Sequence, residues 1–152
     1  RLRPDMKVLE YGSGYSTIEI AGYVKSVFSV EHDEQWFKKL GSIIPSNATI
    51  ALHKPHSELE PGADGTYEQF KNYVECPLAY GPFDVIFIDG RARVACASLC
   101  ARLGHKDTLV FIHDYNNPKP EYLRPEYFWA EKYLQPISGE HTMWLFKIKE
   151  LQ

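Results

Sequence analysis

The chain has 152 residues, which fits one domain with a core large enough to fold without a metal or disulfide. Its composition, 44% hydrophobic and 24% charged, is typical of globular proteins, and its apolar runs are far shorter than the ~20 residues that span a bilayer. The net charge of −3 argues against an overall basic field, so neither nucleic acid nor a membrane is an expected partner.

Cysteine usage indicates the compartment. Cys76, Cys96 and Cys100 are an odd number without CxxC spacing, which disfavours a disulfide framework and a structural zinc site. We therefore expect a reducing, cytoplasmic location. We expect residues 1–152 to form a single domain. Because the chain begins with Arg1 rather than Met, this domain is compatible with being the core of a longer chain, preceded by a targeting sequence or another domain.

In the first third of the chain, strands alternate with helices. The second helix has the clearest pattern, because an apolar stripe follows Asp33, a suitable N-cap. The stripe consists of Trp36, Phe37, Leu40, Ile43 and Ile44. The predicted elements are a strand at 7–11, a helix at 17–24, a strand at 27–30, the helix from 33 and a strand at 48–52.

The same alternation resumes after residue 82. The predicted elements are a strand at 85–88, a helix with the stripe Cys96, Leu99, Cys100 and Leu103, a strand at 109–112, a helix at 126–134 and a hairpin at 134–148. Residues 53–82 receive no assignment, although Tyr67, Phe70 and Tyr73 are spaced as one face of a short helix. This order predicts an α/β fold, a mostly parallel sheet with helices on both faces and a C-terminal antiparallel strand.

Ligands of open parallel sheets bind at the carboxyl ends of the strands, so the residues there are informative. After the first strand, Gly12 and Gly14 allow a tight turn and a close approach to a ligand. A dinucleotide site needs a third glycine where Thr17 stands, and Glu10 suits a cation better than a pyrophosphate. Glu31 ends the second strand, where a carboxylate accepts hydrogen bonds from ribose; alternatively it is an ordinary acidic residue at a helix start.

These residues resemble the class I S-adenosylmethionine-dependent methyltransferases, whose first strand ends in an acidic-x-Gly-x-Gly-x-Gly loop. Glu10, Gly12 and Gly14 match the loop, and Ser16 replaces the third glycine, as in some small-molecule O-methyltransferase branches. The resemblance extends from Val8 to the closing hairpin. It implies the Rossmann-like methyltransferase fold, a seven-stranded, mostly parallel sheet with a C-terminal antiparallel hairpin.

The resemblance also implies an activity, the transfer of a methyl group from S-adenosylmethionine to an oxygen of a small molecule. The glycine loop would surround the methionine part with Glu10 near its ammonium group, Glu31 would bind the ribose, and residues near His53 would flank the adenine. The cofactor residues so implied are Glu10, Tyr11, Gly12, Ser13, Gly14, Ser16, Thr17, Glu31 and His32.

Acidic residues at two further strand ends are the candidates for catalysis. In catechol-type O-methyltransferases, carboxylates at these ends hold magnesium, which makes Asp89 and Asp114 candidate metal ligands by resemblance. Tyr115 occupies the place of that family's asparagine, so we favour the metal-free alternative. In that alternative His113 is the general base, because imidazole titrates near neutral pH.

Other interpretations of the same residues stay open. Arg91 and Arg93 are candidates for binding an acidic group of the acceptor, and either can instead be a solvated or ion-paired side chain. Asp89 can instead be the N-cap of the following helix, and His113 an ordinary hydrogen-bonded histidine. Two other classes of protein also remain, a non-catalytic S-adenosylmethionine-binding module and an NAD or nucleotide-sugar enzyme on a related sheet.

Overall fold

The computed structural model describes residues 1–149. The seven strands in this range are β1 (Lys7–Tyr11), β2 (Ser26–Glu31), β3 (Ala48–Leu52), β4 (Phe83–Ile88), β5 (Gly104–His113), β6 (Leu134–Glu140) and β7 (Met143–Ile148). The α-helices are α1 (Tyr15–Ala21), α2 (Glu34–Gly41), α3 (Tyr67–Glu75) and α4 (Arg93–Leu103), and 3₁₀ helices lie at Cys76–Ala79, Pro120–Tyr122 and Pro125–Lys132. No helix among residues 1–149 combines the length and apolar character that crossing a membrane requires.

All seven strands form one sheet in the order β3-β2-β1-β4-β5-β7-β6. Strands β1 to β5 are parallel, and β7 runs antiparallel to both of its neighbours. The predicted α/β fold is therefore confirmed. The chain moves outward from β1 to β3 and then returns to β4 on the other side of β1, so strand order reverses between β1 and β4. Ligand clefts of such sheets lie at this reversal.

Helices cover both faces of the sheet because the central strands are apolar on both sides. In β1, Leu9 and Tyr11 belong to the core under α3 and α4, whereas Val8 belongs to the core under α1. The predicted face of α3 is confirmed, since Phe70 and Tyr73 are fully buried and Tyr67 packs beside them.

Two of the predicted helices differ in the structure. Helix α1 begins at Tyr15 rather than at residue 17, because the Thr17 hydroxyl accepts a hydrogen bond from Gly14 N, 3.0 Å away, and lies inside the first turn. The segment predicted as a helix at 126–134 is a 3₁₀ helix. Its buried residues Tyr127 and Ala130 are three apart, and side chains at that spacing align in a 3₁₀ helix.

The predicted apolar stripe of α2 is only partly buried. Leu40 is fully buried, but Ile43 is 49% exposed. Trp36 lies at the carboxyl edge of the sheet, where its indole Nε1 donates to the carbonyl of Ser13 at 2.6 Å. The N-cap is confirmed, since the Asp33 carboxylate accepts from Trp36 N at 2.7 Å.

Candidate functional site

A cleft of about 770 Å³ opens where the carboxyl ends of β1, β2 and β4 meet. This volume lies within the range of small-molecule sites. Of the residues implied for cofactor binding, six line the cleft: Gly12, Ser13, Gly14, Ser16, Glu31 and His32. Asp89 and Arg91, from the acceptor side, also line it.

The two glycines of the loop have different roles. Gly12 has φ +93°, and a Cβ there would lie 2.7 Å from Gly90 Cα, so only glycine lets the loop pass beside the end of β4. Gly14 is extended, and an added Cβ would meet Ser16 Oγ at 3.3 Å and little else. Gly12 is therefore required by the fold, whereas the missing side chain of Gly14 keeps the cleft open.

Glu10 lies beneath the loop. Its carboxylate is 2% exposed and accepts hydrogen bonds from the hydroxyls of Ser16, Thr17 and Ser29. Burial raises the pKa of Glu10, and the three hydroxyl donors act in the opposite direction. Glu10 thus ties the loop to β2 from below. Tyr11 is also below the cleft, because its buried hydroxyl donates to the carbonyl of Val74 at 2.7 Å.

Glu31 organises the opposite wall of the cleft. Its Oε1 accepts from the backbone nitrogens of His32 and Asp33, both at 2.8 Å, and its Oε2 accepts from Ser13 N at 3.0 Å. Burial raises the pKa of Glu31, but the hydrogen bonds from His32 and Asp33 outweigh it and leave the pKa below its ordinary value. Each carboxylate oxygen offers two lone pairs, so Oε2 retains one acceptor position for a ligand hydroxyl.

Across the cleft, the imidazole of His113 lies between the carboxylates of Asp89 and Asp114. The Nδ1 of His113 lies 3.0 Å from Asp89 Oδ1 and 3.1 Å from Asp114 Oδ2, so it must carry the proton. Its Nε2 lies 2.9 Å from the hydroxyl of Thr142. Hydrogen bonding to Asp89 raises the pKa of His113 above its ordinary value, against the opposing effect of burial. The three residues are therefore adjacent, with the histidine between the carboxylates.

Arg93 is a buried partner of this group. Its side chain is 11% exposed and lies 3.4 Å from the carboxylate of Asp114, 3.9 Å from that of Asp89 and 3.7 Å from that of Asp64. Arg93 is therefore an ion-paired side chain that also lines the cleft, and its role as a contact for the acceptor stays a prediction. Arg91 lines the cleft and forms no ion pair with any residue in the described range.

Asp64 comes from the stretch that the sequence left unassigned. Its carboxylate accepts from Arg93 N at 2.7 Å and from the Tyr127 hydroxyl at 2.9 Å, and its carbonyl accepts from Ala92 N at 2.8 Å. Asp64 therefore caps α4, and the interpretation of Asp89 as that cap is wrong. No spacing in the sequence indicates this contact, because the two segments meet only in the folded chain.

The rim does not fit a magnesium site. Asp114 Oδ1 accepts from Asn117 Nδ2 at 2.8 Å, and its Oδ2 faces His113 and Arg93. A guanidinium within 4 Å of both aspartates would repel a divalent cation. Within residues 1–149, no three His, Cys, Asp or Glu side chains are grouped as metal ligands.

Several solved structures share this fold. A methyltransferase-like protein from Silicibacter pomeroyi is 21% identical with a TM-score of 0.67, over 95% of this chain and 78% of that one. A TehB-like SAM-dependent methyltransferase from Corynebacterium glutamicum is 13% identical with a TM-score of 0.62, over 98% of this chain and 83% of that one. The methyltransferase MycE of mycinamycin biosynthesis, in complex with Mg, SAH and mycinamycin VI, is 12% identical with a TM-score of 0.61, over 94% and 44%.

The comparisons by sequence give no relatives. No protein-family model matches the chain, and no curated protein matches it significantly. The share of each solved chain that is covered differs, from most of the Silicibacter protein to less than half of MycE. At these identities the likeness concerns the fold, and the chain has the Rossmann-like fold that S-adenosylmethionine-dependent methyltransferases share.

Proposed function

We propose that this protein is an S-adenosylmethionine-dependent methyltransferase that methylates an oxygen of a small molecule. One observation carries the proposal. The glycine loop, Glu31 and Asp89 line a single cleft at the reversal of strand order, in a sheet with the topology of methyltransferases. The two carboxylates enter from opposite sides of the cleft, which leaves room between them for a donor and an acceptor.

The residues fit the cofactor. Glu31 Oε2 has one acceptor position for a ribose hydroxyl, and the absent side chain of Gly14 leaves space beside the loop. The buried Glu10 beneath the loop favours a positively charged group above it and disfavours a pyrophosphate. S-adenosylmethionine supplies an electrophilic methyl group on a cationic sulfur, which the carboxylates of Glu31 and Asp89 on the cleft suit better than they suit the pyrophosphate of NAD.

For methyl transfer the protein has to position the donor and the acceptor and to accept one proton from the acceptor. Methyl transfer is a displacement in which donor and acceptor must be held in line. The acceptor hydroxyl loses its proton as its oxygen bonds to the methyl carbon and the carbon–sulfur bond breaks. Asp89 is half exposed on the cleft and hydrogen-bonded to His113, so the proton passes to this pair. A hydroxyl is a weak nucleophile until its proton is removed, and the presence of this pair beside the cleft is in keeping with an oxygen acceptor.

Calorimetric titration of the protein with S-adenosylmethionine, S-adenosylhomocysteine and NAD tests the proposal. We expect both sulfur compounds to bind with micromolar dissociation constants and NAD to give no heat. Binding of NAD alone would overturn the assignment. Binding of S-adenosylhomocysteine with no turnover on a panel of phenols, alcohols and hydroxy acids would instead favour a binding module without catalysis.

A further inference from the structure

A second cleft adjoins the first on the acceptor side. It measures about 580 Å³ and shares Arg91 and Arg93 with the first cleft. Asp114 lines the second cleft and is joined through His113 to Asp89, which lines the first. A molecule seated in the second cleft therefore lies beside the pair that would take the acceptor's proton.

The side chains around this second cleft are strongly cationic. Arg91, Lys119 and Arg124 line it, and within residues 1–149 none of the three forms an ion pair. The single carboxylate in the lining is that of Asp114, which Arg93 and His113 already neutralise. A local excess of positive charge on a chain with a net charge of −3 requires an explanation.

The geometry of the three cations suits an oxyanion. The Nη2 of Arg124 donates to the carbonyl of Gly62 at 2.8 Å, which fixes the guanidinium and leaves its other nitrogens free. Arg91 lies at the boundary of the two clefts and can donate in pairs to a carboxylate or phosphate. Tyr122 and Tyr127 also line the cleft, and their rings offer an apolar surface for the rest of the ligand.

We propose that the second cleft binds an anionic oxyacid group of the methyl acceptor, a carboxylate or a phosphate, through Arg91, Lys119 and Arg124. This inference rests on the proposed function for its identification of the ligand as an acceptor. It specifies the acceptor as a small hydroxy acid or a hydroxylated phosphate ester, with the hydroxyl directed to Asp89 and the anion held in the second cleft.

Binding of simple probes tests the site without a known acceptor. We would titrate the protein, free and saturated with S-adenosylhomocysteine, with 4-hydroxybenzoate, with phenyl phosphate and with the neutral 4-hydroxybenzyl alcohol, by calorimetry or NMR. At least one anion should bind clearly more tightly than the neutral alcohol, and its affinity should fall as salt is added. Comparison of 4-hydroxybenzoate with phenyl phosphate then shows which oxyacid the cleft prefers.

Matched charge variants locate the binding. Arg124→Gln and Lys119→Gln should each lower the affinity for the preferred anion about tenfold, since each substitution removes one charge-assisted contact. Lys106→Gln removes the same charge from an exposed lysine beside a different cleft and should change nothing. Equal affinity for the anions and the alcohol, or an equal loss in Lys106→Gln, would overturn the inference.

The two proposals fail separately. If S-adenosylhomocysteine binds every variant normally but the anions are not preferred, the anion site is wrong and the proposed function stands. If the anions bind as expected but neither S-adenosylmethionine nor S-adenosylhomocysteine binds, the proposed function is wrong, and with it the identification of the anion as part of a methyl acceptor.

Discussion

The Nδ1 of His113 lies 3.0 Å from a carboxylate oxygen of Asp89, although the two residues belong to the ends of different strands. Parallel pairing of β4 with β5 places Ile88 beside Ile112, so the next residue of each strand reaches the same edge of the sheet. Asp89 faces the cleft and His113 lies behind it. Protonation of the imidazole therefore changes the charge directly beside the carboxylate that meets the acceptor.

The Asp89→Asn variant should lower the pKa of His113. In the wild type, the hydrogen bond to Asp89 raises the pKa of His113 above 6.5, so the imidazolium persists to higher pH and turnover should increase as it loses its proton. Without that carboxylate the imidazolium is less stable, and its titration should move to lower pH. NMR titration of the imidazole protons measures this shift directly.

The same pKa shift affects stability. A histidine with a raised pKa in the folded state stabilises the fold below its unfolded pKa, and this contribution is lost as the pH rises through the folded pKa. The advantage of the wild type over Asp89→Asn should thus be larger at pH 5 than at pH 9. His53 is an internal control, because burial alone lowers its pKa and it should titrate alike in both proteins. An unchanged His113 titration in Asp89→Asn would contradict the coupling.

The Glu31→Ala variant should bind S-adenosylhomocysteine about tenfold to a hundredfold more weakly, through loss of a charged acceptor worth ~1.5–3 kcal/mol. It should also lose stability, because the backbone nitrogens of Ser13, His32 and Asp33 lose their acceptor. Glu31→Gln keeps the shape and part of the hydrogen bonding, so it should be more stable than Glu31→Ala yet also bind weakly. Calorimetry and thermal denaturation separate the two effects. Normal affinity in both variants would leave Glu31 with a purely structural role.

Substitution of the two loop glycines should have opposite consequences. Gly14→Val keeps an ordinary extended backbone but adds a side chain to the cleft wall, so we expect a loss of stability on the order of 1 kcal/mol, since valine is a poor N-cap for α1, and about tenfold or more weaker cofactor binding. Gly12→Ala places a Cβ 2.7 Å from Gly90 Cα at a left-handed φ, and should lower the free energy of unfolding by about 2–4 kcal/mol. Parallel measurements of melting temperature and of affinity for S-adenosylhomocysteine in the two variants test these opposite effects. A stable, tightly binding Gly14→Val protein would place the cofactor elsewhere.

The Asp64→Ala variant should destabilise the protein by about 2–3 kcal/mol, since Arg93 N and the Tyr127 hydroxyl lose their acceptor. That corresponds to a fall in melting temperature on the order of 5–10 °C for a domain of this size. Asp5→Ala is the control, because Asp5 is exposed and pairs only with the exposed Arg3; its melting temperature should be that of the wild type. If Asp64→Ala and Asp5→Ala have the same melting temperature, the connection between the loop at 53–66 and α4 does not contribute to stability.

The sequence by itself was sufficient for the sheet and for the edge at which the cleft lies. Short apolar runs that end in Gly12, Glu31, Asp89 and His113 are local signals, and parallel strands bring such ends together in any right-handed arrangement. Strand β3 and the N-cap Asp33 were likewise predicted from neighbouring residues alone. Hydrophobic periodicity and turn residues determine these features, because each depends on only a few consecutive positions.

Tertiary structure alone decided what each side chain at that edge does. Arg91 and Arg93 are equivalent in the sequence and both reach the clefts, yet Arg93 lies between three carboxylates, whereas Arg91 forms no ion pair within residues 1–149. Asp64 reaches α4 from a stretch without periodicity, and Glu10 lies beneath its loop rather than on the cleft. These outcomes depend on contacts between residues far apart in the chain. Spacing predicts which residues reach an edge, but side-chain packing and charge pairing across strands set the direction in which each one points.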